Sequence, residues 1–439
     1  MGPLPAPHDI PLPLPVSPLF LELAIVFLFL IHILFVALML GGSLLTVAFE
    51  IRGRRRPDCD VLAREIAATV TVSKSLAVVL GVGPLLVMNV FYTVFFYSAN
   101  ALTGAAWLAV IPLVTAAFLL TYLHKYTWDR LAGAKGLHIA IGALASALFL
   151  VVPFVFLTNI NLMLFPDRWT SVHGFLTALV LPNVVPRYLH FVTASVALTG
   201  LFLMAYFGRA GFPAEEVFRE FDRRALRRRF ASVALGATGL QLLFGPLLFF
   251  TLPAVGISWA LILNILAGVS LAIVAIVLLT REVVAPGARL GVRYLATATA
   301  LTGTVVFMAY GRHLYRESAL APQRTAIAAR TAEFEETVLA AQMRAKAGIR
   351  HTKAEAATSP GEQVFRSICS ACHARDTRLV GPPLTEIDRI YKGNPAGLIA
   401  WVKAPGKKRP DYPQMPAIKL TPAQYQAVAE FVLAVPGTS

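Results

Sequence analysis

Cys369, Cys372 and His373 stand in the order Cys-x-x-Cys-His. That spacing puts two thiols and an imidazole on one short stretch of chain, which is the attachment site of a c-type haem: the thiols add across the two vinyl groups and the histidine is carried under the iron. A sixth ligand must come from further along, and the Pro-flanked loop Tyr412-Pro413-Gln414-Met415-Pro416 offers the Met415 thioether. A Met/His pair raises the potential of haem iron. Zinc, the other user of a Cys-x-x-Cys pair, needs two further ligands, and residues 359–439 hold no other Cys or His.

Three more histidines lie in or at the ends of apolar runs. His32 is near the middle of the first, where a neutral imidazole needs a partner: haem iron, or a hydrogen-bonding group on a neighbouring helix. His190 is just inside the outer end of the fifth run, and Arg187, one turn earlier, is placed to pair with a haem propionate. The last run ends Phe307-Met308-Ala309-Tyr310-Gly311-Arg312-His313. His313, ahead of Met308, is the candidate second ligand opposite His190, the alternative being an interfacial ring among headgroups. His124 and His138 flank a turn on the opposite side and read as interfacial, with a haem on that side as the other option. His173, beside Trp169, is placed to cover a haem edge, whereas His8 and His351 read as solvated. One or two b-type haems are expected in addition to the single c haem.

The elements that position these groups are membrane helices. Of 439 residues, 57% are hydrophobic and 14% charged, more apolar surface than a soluble chain can hide. Eight runs of about 18 or more mostly apolar residues fall at 19–49, 72–97, 105–123, 137–157, 187–207, 232–252, 258–279 and 294–311. Cations follow the odd-numbered runs: Arg52 to Arg56 and Arg64; Lys125, Arg130 and Lys135; the arginines from Arg209 to Arg229; and Arg281, Arg289 and Arg293. By the positive-inside rule these loops are cytoplasmic. Both termini then lie outside the bacterial cytoplasmic membrane, where haem is attached to such a motif. The net charge of +15 is explained by topology and contact with anionic lipid, not by a nucleic-acid partner. Cys59 falls in the first basic loop, and no structural disulfide is available.

The expected fold class is all-α: a polytopic bundle of about eight transmembrane helices fused to a small helical domain. Residues 1–18 form an external segment, 19–311 the membrane domain that holds the b haems, 312–358 an external helical linker, and 359–439 the c-haem domain. In the linker, Ile327, Phe334, Val338, Leu339 and Met343 make an incomplete apolar stripe, compatible with an exposed arm or a docking helix. Lys403, Lys407, Lys408 and Arg409 precede the Met415 loop and would steer an acidic redox partner, or else form an ordinary solvated surface.

Two families are similar in sequence pattern. The order Cys-x-x-Cys-His, Gly381-Pro382-Pro383-Leu384, Met415-Pro416 and a final helix near 422–435 resembles class I cytochrome c. The first five apolar runs, over about 19–207, resemble subunit I of cytochrome bd quinol oxidases. Ile31 to Leu38 is similar to the segment carrying that family's high-spin haem ligand, and Tyr188 to Ser195 to the one carrying its low-spin haem histidine. Thr127-Trp128-Asp129-Arg130-Leu131 recurs after the third helix. The resemblance implies His32 and His190 as haem ligands. There are departures too. The family's acids in the second and third helices correspond here to Leu86-Val87-Met88-Asn89-Val90 and Val110-Ile111-Pro112-Leu113-Val114, without a carboxylate. Its long quinol-binding loop shrinks to Pro253 to Ser258, and its methionine ligand is missing from Trp259 to Ser270.

These departures argue against oxygen reduction and against quinol oxidation at the family's usual place, while a quinone site elsewhere stays open. The expected function is electron transfer between a quinone pool, through b haems, and an external redox protein or oxidoreductase subunit, through the c haem. A quinol:cytochrome c oxidoreductase acting alone and a terminal oxidase fed by its own c haem are the alternatives.

Overall fold

The computed structural model describes residues 14–286, 290–346, 359–407 and 410–434. His8, Arg289, His351, Lys408, Arg409 and the end of the expected linker lie outside them. The described chain is helical, with no strand among the described residues, and divides into two units, Met1–Glu333 and Phe334–Ser439.

The membrane unit is built on α1 (Pro18–Gly53), α2 (Pro57–Phe91), α3 (Thr93–Thr103), α4 (Ala105–Tyr126) and α5 (Lys135–Met163). A short α6 (Phe175–Leu179) precedes α7 (Val184–Gly208), and α8 (Ala214–Val217) leads to α9 (Arg223–Phe250), α10 (Trp259–Val284) and α11 (Val292–Lys346). Seven of these helices are long and apolar enough to cross a membrane, and the bent pair α2/α3 meets the same test when its two helices are taken together. The chain is a multi-pass membrane protein. We call the end of the bundle at which α1 begins proximal, and the other distal.

α1 starts where Pro18 occupies the first turn and Ser17 caps it, its hydroxyl accepting from the Phe20 amide at 3.4 Å. Its 36 residues rise about 54 Å at 1.5 Å each, well beyond the roughly 30 Å hydrocarbon core. In lipid, helices associate through small residues that let backbones approach. A Cβ on Gly41 of α1 would collide with Thr199 of α7, and one on Gly200 would lie 2.8 Å from the Ala234 amide nitrogen of α9. Thr199 donates to the Ala37 carbonyl across the first of these seams (3.1 Å).

Three expectations change. The second span runs not over 72–97 but over α2, then turns through 110° at Tyr92 into α3. Tyr92 is buried and donates to Glu317 at 2.9 Å, a polar anchor at the proximal end that a straight helix would not reach. Cys59 is not in a loop: the sequence Pro57-Asp58-Cys59-Asp60 starts α2, with Pro57 in the first turn, and Cys59 is buried beside Phe49 and Phe207. Finally, α11 continues far past residue 311, because Tyr315, Ala319, Leu320 and Ile327 are buried with Ile160 and Leu261 in one apolar cluster. The first part of the expected linker is thus membrane-unit core, while Phe334, Leu339 and Met343 are exposed.

The second unit packs α12 (Pro360–Val364), α13 (Leu384–Tyr391), α14 (Pro395–Lys403) and α15 (Pro422–Leu433) around Val364, Phe365, Leu384, Leu398 and Val428. α15 is held at its start by a capping box between Thr421 and Gln424. A Cβ on Gly361 would collide with the Ala427 carbonyl oxygen; that oxygen belongs to helix backbone and cannot rotate away. Gly361→Ala should cost about 1–3 kcal/mol of domain stability. Thermal unfolding of the full-length protein, followed through the c-haem absorbance, should shift down by about 4–8 °C per kcal/mol; an unchanged midpoint would refute this packing.

Candidate haem-binding sites

In the second unit the chain leaves α12 through a π-helical turn over Phe365–Cys369, closed by the Ser370 amide donating to the Phe365 carbonyl at 2.9 Å. The Cys372 and His373 amides both return to the Cys369 carbonyl, at 3.1 and 3.0 Å. This turn brings Cys369, Cys372 and His373 to the wall of one cleft, which Met415 and Pro416 also line. Val380, Leu384, Ile387, Leu398, Val402 and Val428 make most of the remaining surface, so the cleft suits a flat apolar macrocycle.

His373 Nδ1 lies 2.8 Å from the Pro382 carbonyl oxygen. A carbonyl can only accept, so Nδ1 carries the hydrogen and Nε2 keeps its lone pair for a metal. Gly381 is required beside it, since a Cβ there would collide with the imidazole. Burial, with the nearby Cys372 sulfur, pushes the Cys369 thiol above its ordinary value. The residues therefore fit haem c: a fixed imidazole, two thiols and a thioether around one apolar cleft. On the cleft rim Arg378 hydrogen-bonds the Asp411 carbonyl and covers the Tyr412 ring at 4.3 Å.

Residues 356–432 match the family described as "Cytochrome C oxidase, cbb3-type, subunit III". The chain is 36% identical over 78 residues to cytochrome c-551 of Azotobacter vinelandii, covering 94% of that protein and 17% of its own length. Over this domain the chain belongs to the cytochrome c family. The cytochrome c domain accounts for Cys369 and Cys372 as the haem attachment site. For the rest, the solved bd oxidase from Geobacillus thermodenitrificans is similar in fold, with a TM-score of 0.52 at 11% identity, covering 74% of this chain and 96% of that one.

In the membrane unit, His32 and His190 each bury an Nδ1 that has no hydrogen-bond partner. A buried orphan of this kind calls for an explanation. Each ring faces a glycine on another helix. His190 Cε1 lies 3.8 Å from where a Cβ of Gly245 on α9 would be, and His32 Cε1 only 2.9 Å from that of Gly81 on α2. His32 is therefore seated tightly against α2, while His190 has more room.

Arg187 is oriented by Asn183, the residue before α7, which adopts φ 74°. The Asn183 amide nitrogen donates to the Leu248 carbonyl (2.6 Å) and Thr251 Oγ1 (2.9 Å), and its oxygen accepts from Arg187 Nε (2.9 Å) and Nη2 (2.5 Å). Sequence reasoning missed the company Arg187 keeps. Arg312 and Arg316 lie close enough to repel it and one another; Arg312 sits over Phe29 at 4.2 Å and Arg316 over Tyr92 at 4.9 Å. None of the three forms an ion pair among the described residues, whereas nearby Arg324 pairs with Glu317. Both residues follow the glycine at which the apolar run was ended, so hydropathy gave them to the linker. Three unpaired cations are costly in a membrane protein and fit the carboxylates of a haem.

His313 also buries an unpartnered Nδ1, but its Nε2 faces Glu22 Oε2 at 3.8 Å. Met308 packs its methyl against Gly268 of α10. His173 is exposed. At the distal end Asp129 makes a two-pronged ion pair with Arg64, both N–O distances being 2.7 Å, which holds its carboxyl below the ordinary value. His124 and His138, near the ends of α4 and α5, are buried and converge on Glu50. Glu50 was overlooked because it lies one residue beyond the end assigned to the first apolar run.

Proposed function

We propose that this protein carries electrons between the membrane and an external redox protein: one or two b haems in the bundle exchange with the quinone pool, and the C-terminal haem c exchanges with the partner. The carrying observation is the proximal group of Arg187, Arg312 and Arg316, three cations that form no ion pair among the described residues, on helices that also bear His190 and His313. His190 would ligate one b haem through its imidazole, and His32 would serve a second after its ring turns from Gly81. His313 or Met308 would complete the coordination at the His190 haem. Haem, when bound, supplies one-electron chemistry. The chain's own part is to hold each ring in place, neutralise the propionates with guanidinium groups and exclude water. Glu22 and Glu317, with Tyr92, give the proximal end further groups with which a quinone headgroup could hydrogen-bond.

The positive-inside asymmetry and the haem motif support a bacterial cytoplasmic membrane location with the cytochrome c domain outside. A reporter active only in the cytoplasm should work when fused after Arg229 and fail after Ser439. Equal activity at both would invert or miscount the topology.

A pyridine haemochrome assay on the purified full-length protein tests the cofactor content, with an expected b to c ratio of one or two; absence of haem b would end this reading. The second reading, a bd-like oxidase fed by its own c haem, rests on the shared fold. It predicts a large carbon monoxide difference spectrum and cyanide-sensitive oxygen uptake. The conduit reading predicts neither, because irons held by two protein ligands, as at haem c and the His190 haem, leave no free site.

A further inference from the structure

Glu50 is completely buried near the distal end of α1, and each of its oxygens faces an imidazole. Oε2 lies 2.7 Å from His124 Nε2, and Oε1 is hydrogen-bonded to His138 Nδ1. The other nitrogen of the same ring, His138 Nε2, lies 2.7 Å from the His124 carbonyl oxygen. A carbonyl only accepts, so Nε2 carries a hydrogen, and in a neutral imidazole Nδ1 is then a bare lone pair. That lone pair would point at a carboxylate. Three hydrogen bonds need three hydrogens, and two neutral imidazoles with an ionised carboxylate supply two.

We propose that Glu50 and His138 share one additional, exchangeable proton, so that this cluster is a proton-binding site at the distal face of the membrane unit. Uptake is a simple transfer. A hydronium ion at the distal aqueous face gives up its proton and leaves water, and Glu50 with neutral His138 becomes Glu50 with imidazolium, or equally a carboxylic acid with neutral imidazole. No electron moves and no other bond changes.

The surroundings fit that charge count. From the start of α5, Lys135 places its ammonium 3.0 Å from Glu50 Oε1 and 2.5 Å from Asp60 Oδ1 of α2. The same ammonium lies 4.3 Å over Trp128, whose indole N–H donates to Asp60 Oδ2 at 3.3 Å. Glu50 and Asp60 are balanced by Lys135 and the shared proton, and near-neutrality is what a poorly solvated site demands. Arg52 of α1 and Arg229 of α9 lie over the ring of Phe49, at 5.5 and 5.8 Å. Arg64 of α2 is taken up by Asp129. Beside Glu50, α7 packs Leu203, Met204 and Phe207 into one apolar cluster with Phe49 of α1, and none of these titrates.

The site also has two sides. Lys135 and Asp60 are partly exposed, with 21% and 31% of their side chains accessible, and form the approach from water. Beyond His124 lies a cavity of about 20 Å³ lined by Ser43, Thr46, Thr121 and Ser146, and bordered by Lys125, space for one water molecule. Ser43, Thr121 and Ser146 donate to carbonyls of their own helices, leaving hydroxyl lone pairs to accept from that water. The cluster therefore stands between the partly exposed Lys135 and Asp60 on one side and a hydroxyl-lined cavity on the other. This inference does not depend on the haem assignments.

The test is infrared difference spectroscopy of the full-length protein between acidic and alkaline pH, in H2O and D2O, with parallel potentiometric proton counting. The expected result is one deuterium-sensitive carboxyl/imidazole signal per chain, lost in both E50Q and H138Q, with a difference of one bound proton. Size-exclusion profile and covalent haem stain report folding. If the two buried variants fail to fold, K135Q carries the test: loss of the neighbouring positive charge should move the titration to higher pH, and an unmoved titration overturns the proposal. A signal unchanged in E50Q overturns it as well. So does one equivalent of transition metal in the purified protein that disappears in E50Q, because the three ligand atoms lie within 4.8 Å of one another and a divalent cation would then hold the place of the proton.

Discussion

Replacing Cys369 and Cys372 together by alanine should leave the full-length protein with no covalently bound haem on a denaturing gel. The thioether bonds are the only covalent link available: the third cysteine, Cys59, is buried in the other unit. Each single variant can keep at most one bond and should stain weakly; full staining of the double variant would refute the assignment. Met415→Ala acts differently. The thiols and His373 remain, held by the Pro382 carbonyl, so attachment persists while the iron loses its thioether. The potential should fall by a sizeable part of the roughly 0.8 V over which axial ligands tune haem, and carbon monoxide should gain access. A variant with unchanged potential would show that the sixth ligand is another residue.

The sequence made the cytochrome c domain legible because its chemistry is local. Cys369, Cys372 and His373 are joined by covalent spacing, and Gly381 by the need for a bare Cα beside the imidazole. The membrane spans were also legible, since hydropathy records what faces lipid. What hydropathy cannot record is polar structure inside an apolar run. The 110° turn at Tyr92 is held by a tyrosine to Glu317, 225 residues away in sequence, and nothing near Tyr92 announces it. The burial of Tyr315 to Ile327 was hidden in the same way, because Arg312, Arg316 and Glu317 made that stretch look solvated. Glu50, His124 and His138 were visible one at a time. Their meeting depends on the α1–α2 and α4–α5 hairpins coming together, with Trp128 against both imidazoles at 5.2 and 4.7 Å.

His190→Ala should remove a b haem while leaving haem c in place, so that the b to c ratio falls by one. The covalent haem is an internal standard in this measurement, which separates loss of a ligand from loss of the protein. His190 lies on α7 one turn after Arg187, so a haem ligated there would turn its propionates toward the proximal cations. Without it, Arg187, Arg312 and Arg316 would repel one another with no ion-pair partner among the described residues. The alanine variant should therefore be less stable to heat as well as poorer in haem b. Added imidazole, which can occupy the space left by the side chain, should restore the b-type spectrum. Arg316→Gln should keep the haem but shift its potential downward, since a nearby positive charge that favoured the reduced iron has been removed. A b to c ratio unaffected by His190→Ala would place the b haem on other residues, with His32 first among them.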